Sequence, residues 1–349
     1  LDSIKEKIPV AVLGATGSVG QKFIELLANH PWFEINELCA SDKSAGKKYQ
    51  DSVDWFLSSP LPDSVKNILV NECKPILKSK VIFSGLDSSV AGNIETKFAK
   101  SGYIVISNSK NHRMDEDVPL LIPEVNHDHL SLIKKQKYGG GVIITNPNCS
   151  VIGLVIALKP LADKFGIKSI NVSTMQAISG AGHPRVVKLD IEDNVIPLIK
   201  GEEEKVETEP LKILGNLKNE HLEFEDFKIS AQCNRVNITD GHTECVQISL
   251  KKKASKQEII DAWKNFSSLP QELKLPSAPL RPIQYLDQEN LPQPKYQRNS
   301  DKGMTVSIGR LREDSIFDYK FVVLSHNTVR GAAGGAILCA ELMNAQGII

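Results

Sequence analysis

A thiol and an imidazole can together run acyl transfer, and this chain of 349 residues places one of each beside a turn. Cys149 lies in Asn146-Pro147-Asn148-Cys149-Ser150. Ahead of it, Gly141-Val142-Ile143-Ile144-Thr145 is short, apolar and β-branched, which predicts a strand. Behind it, Val151 to Leu158 is a longer apolar run and predicts a buried helix. Cys149 then stands where a strand ends and a helix begins. Unpaired backbone N–H groups and the helix dipole favour thiolate there, and the thiolate is the nucleophile. Asn148 offers a side-chain amide beside the sulfur, and Pro147 fixes the chain direction. The competing reading is an inert thiol packed in a core. His242 follows Thr239-Asp240-Gly241 at a strand start, with Arg235 on the preceding strand. A histidine at a turn is ordinarily solvated; its case rests on having a cysteine partner.

Other groups bind anions. Gly14-Ala15-Thr16-Gly17-Ser18-Val19-Gly20 separates an apolar strand, Ile8 to Leu13, from an amphipathic helix, Gln21 to Asn29. Glycines in such a turn let the backbone approach a pyrophosphate, which rests on the helix N-terminus. A second strand, Ile35 to Ala40, ends at Ser41-Asp42-Lys43. The hydroxyl of Ser41 and the ammonium of Lys43 suit a ribose 2′-phosphate, which favours NADP over NAD; Asp42 is expected to point away. Gly85 and Asn108 fall at the carboxyl ends of later strands, where open α/β sheets bind ligands. Arg113 carries a planar fork of donors suited to phosphate, though alone it reads as a surface arginine. Glu209 and Lys212, three apart on a predicted helix, read as a surface ion pair.

The elements that must position these groups alternate. Strands at 8–13, 35–40, 81–83, 103–107 and 141–145 with intervening helices predict a doubly wound parallel sheet. The second half reads as further strands and helices. Ser169 to Gln176 predicts a strand with one solvated or interface-facing side, and Ser179-Gly180-Ala181-Gly182-His183 a flexible turn. Residues 186–217 read as helical, with Glu202-Glu203-Glu204-Lys205 on a solvated face. Ile229 to Ile238 and Thr243 to Lys252 read as strands of a hairpin turned by Asp240-Gly241. Residues 267–300 hold many prolines and read as irregular; late strands at 306–310 and 321–324 lead into a C-terminal helix opening at His326.

Composition bounds the function. The chain is 41% hydrophobic and 24% charged with zero net charge, so no overall field argues for nucleic acid or a membrane surface. Six scattered cysteines without C-x-x-C spacing read as a reduced, cytoplasmic protein. The first residues show no signal-peptide pattern, and no apolar window reaches a membrane span. His127 and His129 lack a third ligand nearby in sequence and read as exposed residues at a helix start; no metal site is expected.

Taken in order, G-A-T-G-S-V-G at 14–20, S-N-S at 107–109, D-V-P-L-L-I-P-E-V-N at 117–126, N-P-N-C-S at 146–150, S-G-A-G at 179–182, G-H-T-E at 241–244 and N-T-V-R-G-A-A-G-G-A at 327–336 resemble the aspartate-semialdehyde dehydrogenase family. The run at 40–49 is similar to its fungal and archaeal branch. The resemblance implies a Rossmann-type NADP-binding domain at 1–148, completed by a C-terminal helix at 326–349, and an α+β catalytic and dimerisation domain with a mixed sheet at 149–325. It implies NADPH-dependent reductive dephosphorylation of L-aspartyl-4-phosphate on the route to lysine, threonine and methionine, by a homodimer or homotetramer. By position Cys149 is the nucleophile and His242 the acid/base. Arg235 takes the substrate carboxylate, Glu209 its amino group, and Arg113 and Lys212 the phosphate, with Asn148 near the reacting carbonyl. Asn327 contacts the nicotinamide carboxamide, and Ser179 and Gly180 join the cofactor set. Arg185 departs from the pattern, since many relatives carry Gly there. Malonyl-CoA reductases and N-acetylglutamyl-phosphate reductases share the chemistry and form a second enzyme reading; a nucleotide sensor that kept the fold is a third.

Overall fold

The computed structural model describes residues 6–182, 190–218 and 221–349. The chain divides into two compact units, one of residues 1–120, 130–146 and 336–349, the other of 121–129 and 147–335.

The first unit is a six-stranded parallel sheet in the order β3-β2-β1-β4-β5-β6. Its strands are β1 (Ile8–Leu13), β2 (Phe33–Ala40), β3 (Val70–Glu72), β4 (Val81–Ser84), β5 (Ile104–Ser107) and β6 (Val142–Thr145). This is the doubly wound dinucleotide order, with its switch point between β1 and β4. β3 was not legible as a strand because it is a three-residue edge piece. The helices are α1 (Ser18–Leu27), a single turn α2 (Asp63–Lys66) and α3 (Ser88–Lys100). Asp87 caps α3 by accepting from the Ser89 N–H, and α1 buries Phe23, Ile24 and Leu27.

The second unit begins with one helical turn, α4 (Pro123–Asn126), and continues with α5 (Cys149–Phe165). Helix α5 is apolar nearly all round and buried, and it passes through Pro160 before Gly166, at φ +66°, ends it. Around it stand β7 (Ile167–Gln176), α6 (Glu202–Ile213), a small pair β8 (Asn216–Lys218) and β9 (His221–Glu223), β10 (Lys228–Arg235), β11 (His242–Leu250) and α7 (Lys256–Lys264). This unit closes through β12 (Ile283–Leu286), β13 (Val306–Glu313) and β14 (Tyr319–Ser325), with single turns α8 (Leu269–Glu272) and α9 (Pro294–Gln297) around β12; α10 (Gly334–Ala345) follows, and from residue 336 on the chain belongs to the first unit. The mixed sheet runs β10-β7-β11-β14-β13-β12, parallel at β10/β7 and β12/β13 and antiparallel between.

Several expectations are corrected. β10 and β11 are not a hairpin: β7 lies between them, so Asp240-Gly241 turns a crossover. Of the predicted helix at 186–217, residues 190–201 are non-helical, and Ile196 bridges Arg235 instead. Residues 183–189, which include His183 and Arg185, lie outside the described residues. The acidic run is only in part a solvated face, since Glu204 is exposed. Glu202 is buried, while Glu203 and Glu207 accept from the Cys233 and Ala231 N–H groups of edge strand β10. The Pro-rich segment supplies an edge strand of the sheet. His129 is buried and bonded to Asn126 and the Gly215 carbonyl, not exposed. A π-helical turn, Val329–Ala333, precedes α10, so the last helix starts later than His326. No helix among the described residues is long and apolar enough to cross a membrane.

Candidate active site

In the second unit, Cys149 is the first residue of α5 and Asn148 its N-cap. Asn148 Oδ1 accepts from the Ser150 and Val151 N–H groups at 2.9 and 3.4 Å. Asn148 Nδ2 donates to Glu202 Oε1 at 2.5 Å, and its backbone N–H donates to Glu209 Oε2 at 2.7 Å. The residue before the thiol is therefore held from three sides. Glu209 and Lys212 are both buried, so they are not the surface pair that their spacing suggested.

His242 opens β11, and its Nε2 lies 3.3 Å from Cys149 Sγ. Its Nδ1 accepts the Ala177 N–H at 3.0 Å. The imidazole is completely buried; burial first, then Arg235 and His326, hold its pKa well below the usual histidine range. Arg235 Nη1 donates to the Ala177 carbonyl at 2.7 Å. Burial also lowers the arginine's pKa, opposed by Cys149 and Glu202, yet a guanidinium stays charged. Gly180 leaves room for the two side chains: a Cβ there would stand 2.7 Å from Arg235 Nη1 and 3.1 Å from His242 Cε1, so the guanidinium would have to shift. Asn327 ties the turn before His242 to the S-G-A-G loop. Its Oδ1 accepts the Gly241 N–H at 2.9 Å and its Nδ2 donates to Ser179 Oγ at 2.8 Å.

Four residues of this neighbourhood escaped the sequence reading. Glu202 had a signal, since it lies two helical turns before Glu209 and shares its face. Gly331 lies against the nucleophile, where a Cβ would come within 2.8 Å of the Cys149 carbonyl oxygen. Ala177 acts through its backbone, which no side-chain motif reports. Glu244, two residues after His242, is buried with both carboxylate oxygens unpartnered among the described residues.

In the first unit the Gly-rich turn makes a cradle. Gly14 has φ +72°, a Cβ on it would lie 2.8 Å from the Gly85 carbonyl oxygen, and one on Gly20 would lie 2.1 Å from the Gly14 carbonyl oxygen. Ser18 and Val19 are the first residues of α1, whose N-cap Gly17 makes no side-chain cap and whose first turn has no acid. Thr16 holds the turn through its carbonyl, which accepts from Gln21 Nε2. Uncapped N–H groups without a nearby carboxylate fit a pyrophosphate. Ser41 and Lys43 are exposed in the turn after β2, while Asp42 acts electrostatically on Cys73 and Lys74 beside β3. Arg113 is buried, not a surface arginine, and its Nη2 donates to the Asn108 carbonyl at 2.9 Å. Asn108 Oδ1 in turn accepts from Asn146 Nδ2 at 2.8 Å.

A doubly wound nucleotide unit in one chain with a Cys–His pair at a helix N-terminus fits the class of nicotinamide-dependent dehydrogenases. The comparisons narrow this class. Residues 9–133 match the family model "Semialdehyde dehydrogenase, NAD binding domain" and residues 158–330 match "Semialdehyde dehydrogenase, dimerisation domain". The aspartate-semialdehyde dehydrogenase of Archaeoglobus fulgidus is 49% identical over 97% of this chain and 99% of its own; that of Candida albicans is 48% identical over 97% and 98%. The crystal structure of the Candida albicans enzyme with NADP covers 99% of this chain and 100% of its own with a TM-score of 0.91 at 45% identity. The chain belongs to the aspartate-semialdehyde dehydrogenase family.

Proposed function

We propose that this protein reduces L-aspartyl-4-phosphate to L-aspartate 4-semialdehyde and phosphate, with Cys149 carrying the acyl group as a thioester. The observation that carries the reading is the 3.3 Å Cys149–His242 pair at the start of α5, in a chain of this family. Cys149 Sγ bonds to the acyl carbon, and the carbon–oxygen bond to phosphate breaks with its electron pair leaving on phosphate. The thioester splits one hard reduction into two easier steps. NADPH, when bound, supplies the hydride. Residues 14–20 would hold its pyrophosphate, Ser41 and Lys43 its 2′-phosphate and Asn327 the nicotinamide carboxamide, with Gly85, Asn108, Ser179 and Gly180 in the same cofactor set. Arg113 and Lys212 hold the departing phosphate, Arg235 the substrate carboxylate, Glu209 the amino group, and Asn148 keeps the sulfur aimed at the carbonyl.

Residues 1–148 with 326–349 form the NADP-binding domain and 149–325 the catalytic and dimerisation domain, in a cytoplasmic homodimer or homotetramer serving lysine, threonine and methionine synthesis. Glu209 favours aspartyl phosphate over malonyl-CoA or N-acetylglutamyl phosphate, because only the first carries a free ammonium. The test is NADPH absorbance from the protein mixed with aspartate semialdehyde, phosphate and NADP. Turnover is expected; folded protein without it, or a preference for malonyl-CoA in the reductive direction, overturns the reading.

A further inference from the structure

We infer that Tyr49 and Gln21 are positioning residues of the Gly-rich turn: they hold two consecutive carbonyls of that turn so that its backbone presents N–H groups to a dinucleotide pyrophosphate. This rests on the reading that residues 14–20 hold the pyrophosphate. Tyr49 Oη donates to the Ala15 carbonyl at 2.7 Å. Gln21 Nε2 donates to the Thr16 carbonyl at 3.0 Å. Both oxygens belong to the residues between Gly14 and Gly17.

A trans peptide sets its carbonyl and the N–H that follows on opposite sides. Holding the Ala15 carbonyl on the phenol therefore turns the Thr16 N–H away from Tyr49, which is fully buried. Holding the Thr16 carbonyl on Gln21 leaves the Gly17 N–H to its own partner, the Gly14 carbonyl at 3.0 Å. The Ala15 N–H is tied to the Cys39 carbonyl at 2.9 Å. A phosphate takes N–H donors and is repelled by carbonyl oxygens. The peptide joining Ala15 to Thr16 carries one of each, so its orientation decides whether the turn attracts the ligand or repels it.

Neither donor is loose. The Tyr49 N–H donates to the Ile68 carbonyl at 2.9 Å, and nearby the Val70 N–H donates to the Lys47 carbonyl at 2.9 Å. Gln21 is buried in α1; its Nε2 also donates to the Asp54 carbonyl at 2.9 Å, and its Oε1 accepts the Phe56 N–H at 3.2 Å. Burial holds the Tyr49 phenol above the ordinary tyrosine range, so it stays a donor at any working pH. Both clamps thus belong to the segment after β2, the one that starts with Ser41 and Lys43. One segment serves two parts of the cofactor. The parts separate chemically, because NAD and NADP share the pyrophosphate and differ in the 2′-phosphate.

The experiment measures the Kd of NADP and of NAD for the full chain by calorimetry, without substrate. Tyr49→Phe removes only the hydroxyl. It should raise both Kd values about tenfold and leave their ratio unchanged. KM for NADPH should rise with them, while kcat at saturation moves far less. Gln21→Met, neutral and near-isosteric, should likewise weaken both dinucleotides together. An unchanged Kd in either folded variant, whatever happens to Tm, would make that contact merely structural and overturn the proposal. A loss confined to NADP would overturn it too. The turn itself is tested by Gly17→Asp, where a Cβ would stand 3.4 Å from the Gly14 carbonyl oxygen and the carboxylate would repel a pyrophosphate. Undiminished affinity there would show that the turn does not hold the pyrophosphate, a failure distinct from that of Tyr49 and Gln21.

Discussion

Asn148 Nδ2 donates to Glu202 Oε1 at 2.5 Å, so α6 sets the orientation of the amide that caps the nucleophile's helix. Asn148 Oδ1 is thereby turned toward the Ser150 and Val151 N–H groups. A hydrogen bond to a charged group contributes about 1.5–3 kcal/mol. Glu202→Ala should therefore lower kcat by about 10–100-fold, with little change in KM for NADP. A variant with unchanged kcat would show that the amide holds its orientation without this carboxylate.

Gly331 and Cys149 pack backbone to backbone. A Cβ at 331 would meet the Cys149 carbonyl oxygen at 2.8 Å and its Cβ at 2.9 Å. Gly331→Ala must shift α5 or the π-helical turn, and a displacement of about 1 Å at a reacting group costs on the order of 10²-fold in rate. Alkylation of Cys149 by iodoacetamide should slow in parallel with kcat. Normal values of both would place the slack elsewhere.

Glu244 gives a pH signature. Burial alone holds its carboxyl well above the ordinary carboxylate range. A group whose pKa is raised on folding contributes stability that is fully present below the unfolded pKa and is lost as pH rises through the folded pKa. Each pKa unit of difference corresponds to about 1.4 kcal/mol. Glu244→Gln should therefore flatten the fall of Tm from mildly acid to alkaline pH and stand above the wild type at the alkaline end. Parallel Tm-versus-pH curves for the two proteins would contradict this.

Arg330 and Glu124 form a buried pair at 2.6 Å, with Nε and Nη1 of the arginine unpartnered among the described residues. Removing one partner leaves an uncompensated buried charge, which costs about 3–5 kcal/mol. Glu124→Gln should lower the unfolding free energy by that amount, read as a lower urea midpoint at unchanged m-value. A shift below about 1 kcal/mol, the usual range for exposed pairs, would mean the pair is hydrated.

Most of the first unit was readable in the sequence, because β1, β4, β5 and β6 are short apolar runs followed closely by Gly, Ser or Asn, and α1 and α3 are amphipathic. β3 was missed, because its three residues are too few to show a period. In the second unit local patterns pointed the wrong way wherever pairing is non-local. Asp240-Gly241 has hairpin chemistry, yet β7, far earlier in the chain, takes the place between β10 and β11. The acidic run at 202–205 looks solvated, yet Glu202 bonds Asn148 and Glu203 the edge of β10, partners that only the fold supplies. Cys149 and His242 were legible as a pair because their chemistry is specific; Ala177 was not, because its contribution is a backbone N–H.

The central claim is that Cys149 carries the acyl group. Incubated with aspartate semialdehyde and NADP but no phosphate, the enzyme should release a burst of one NADPH per active site and then slow. Mass spectrometry of the quenched protein should find the aspartyl group on the peptide that holds Cys149. A full burst with that peptide unmodified, or an undiminished burst from Cys149→Ala, would contradict the account.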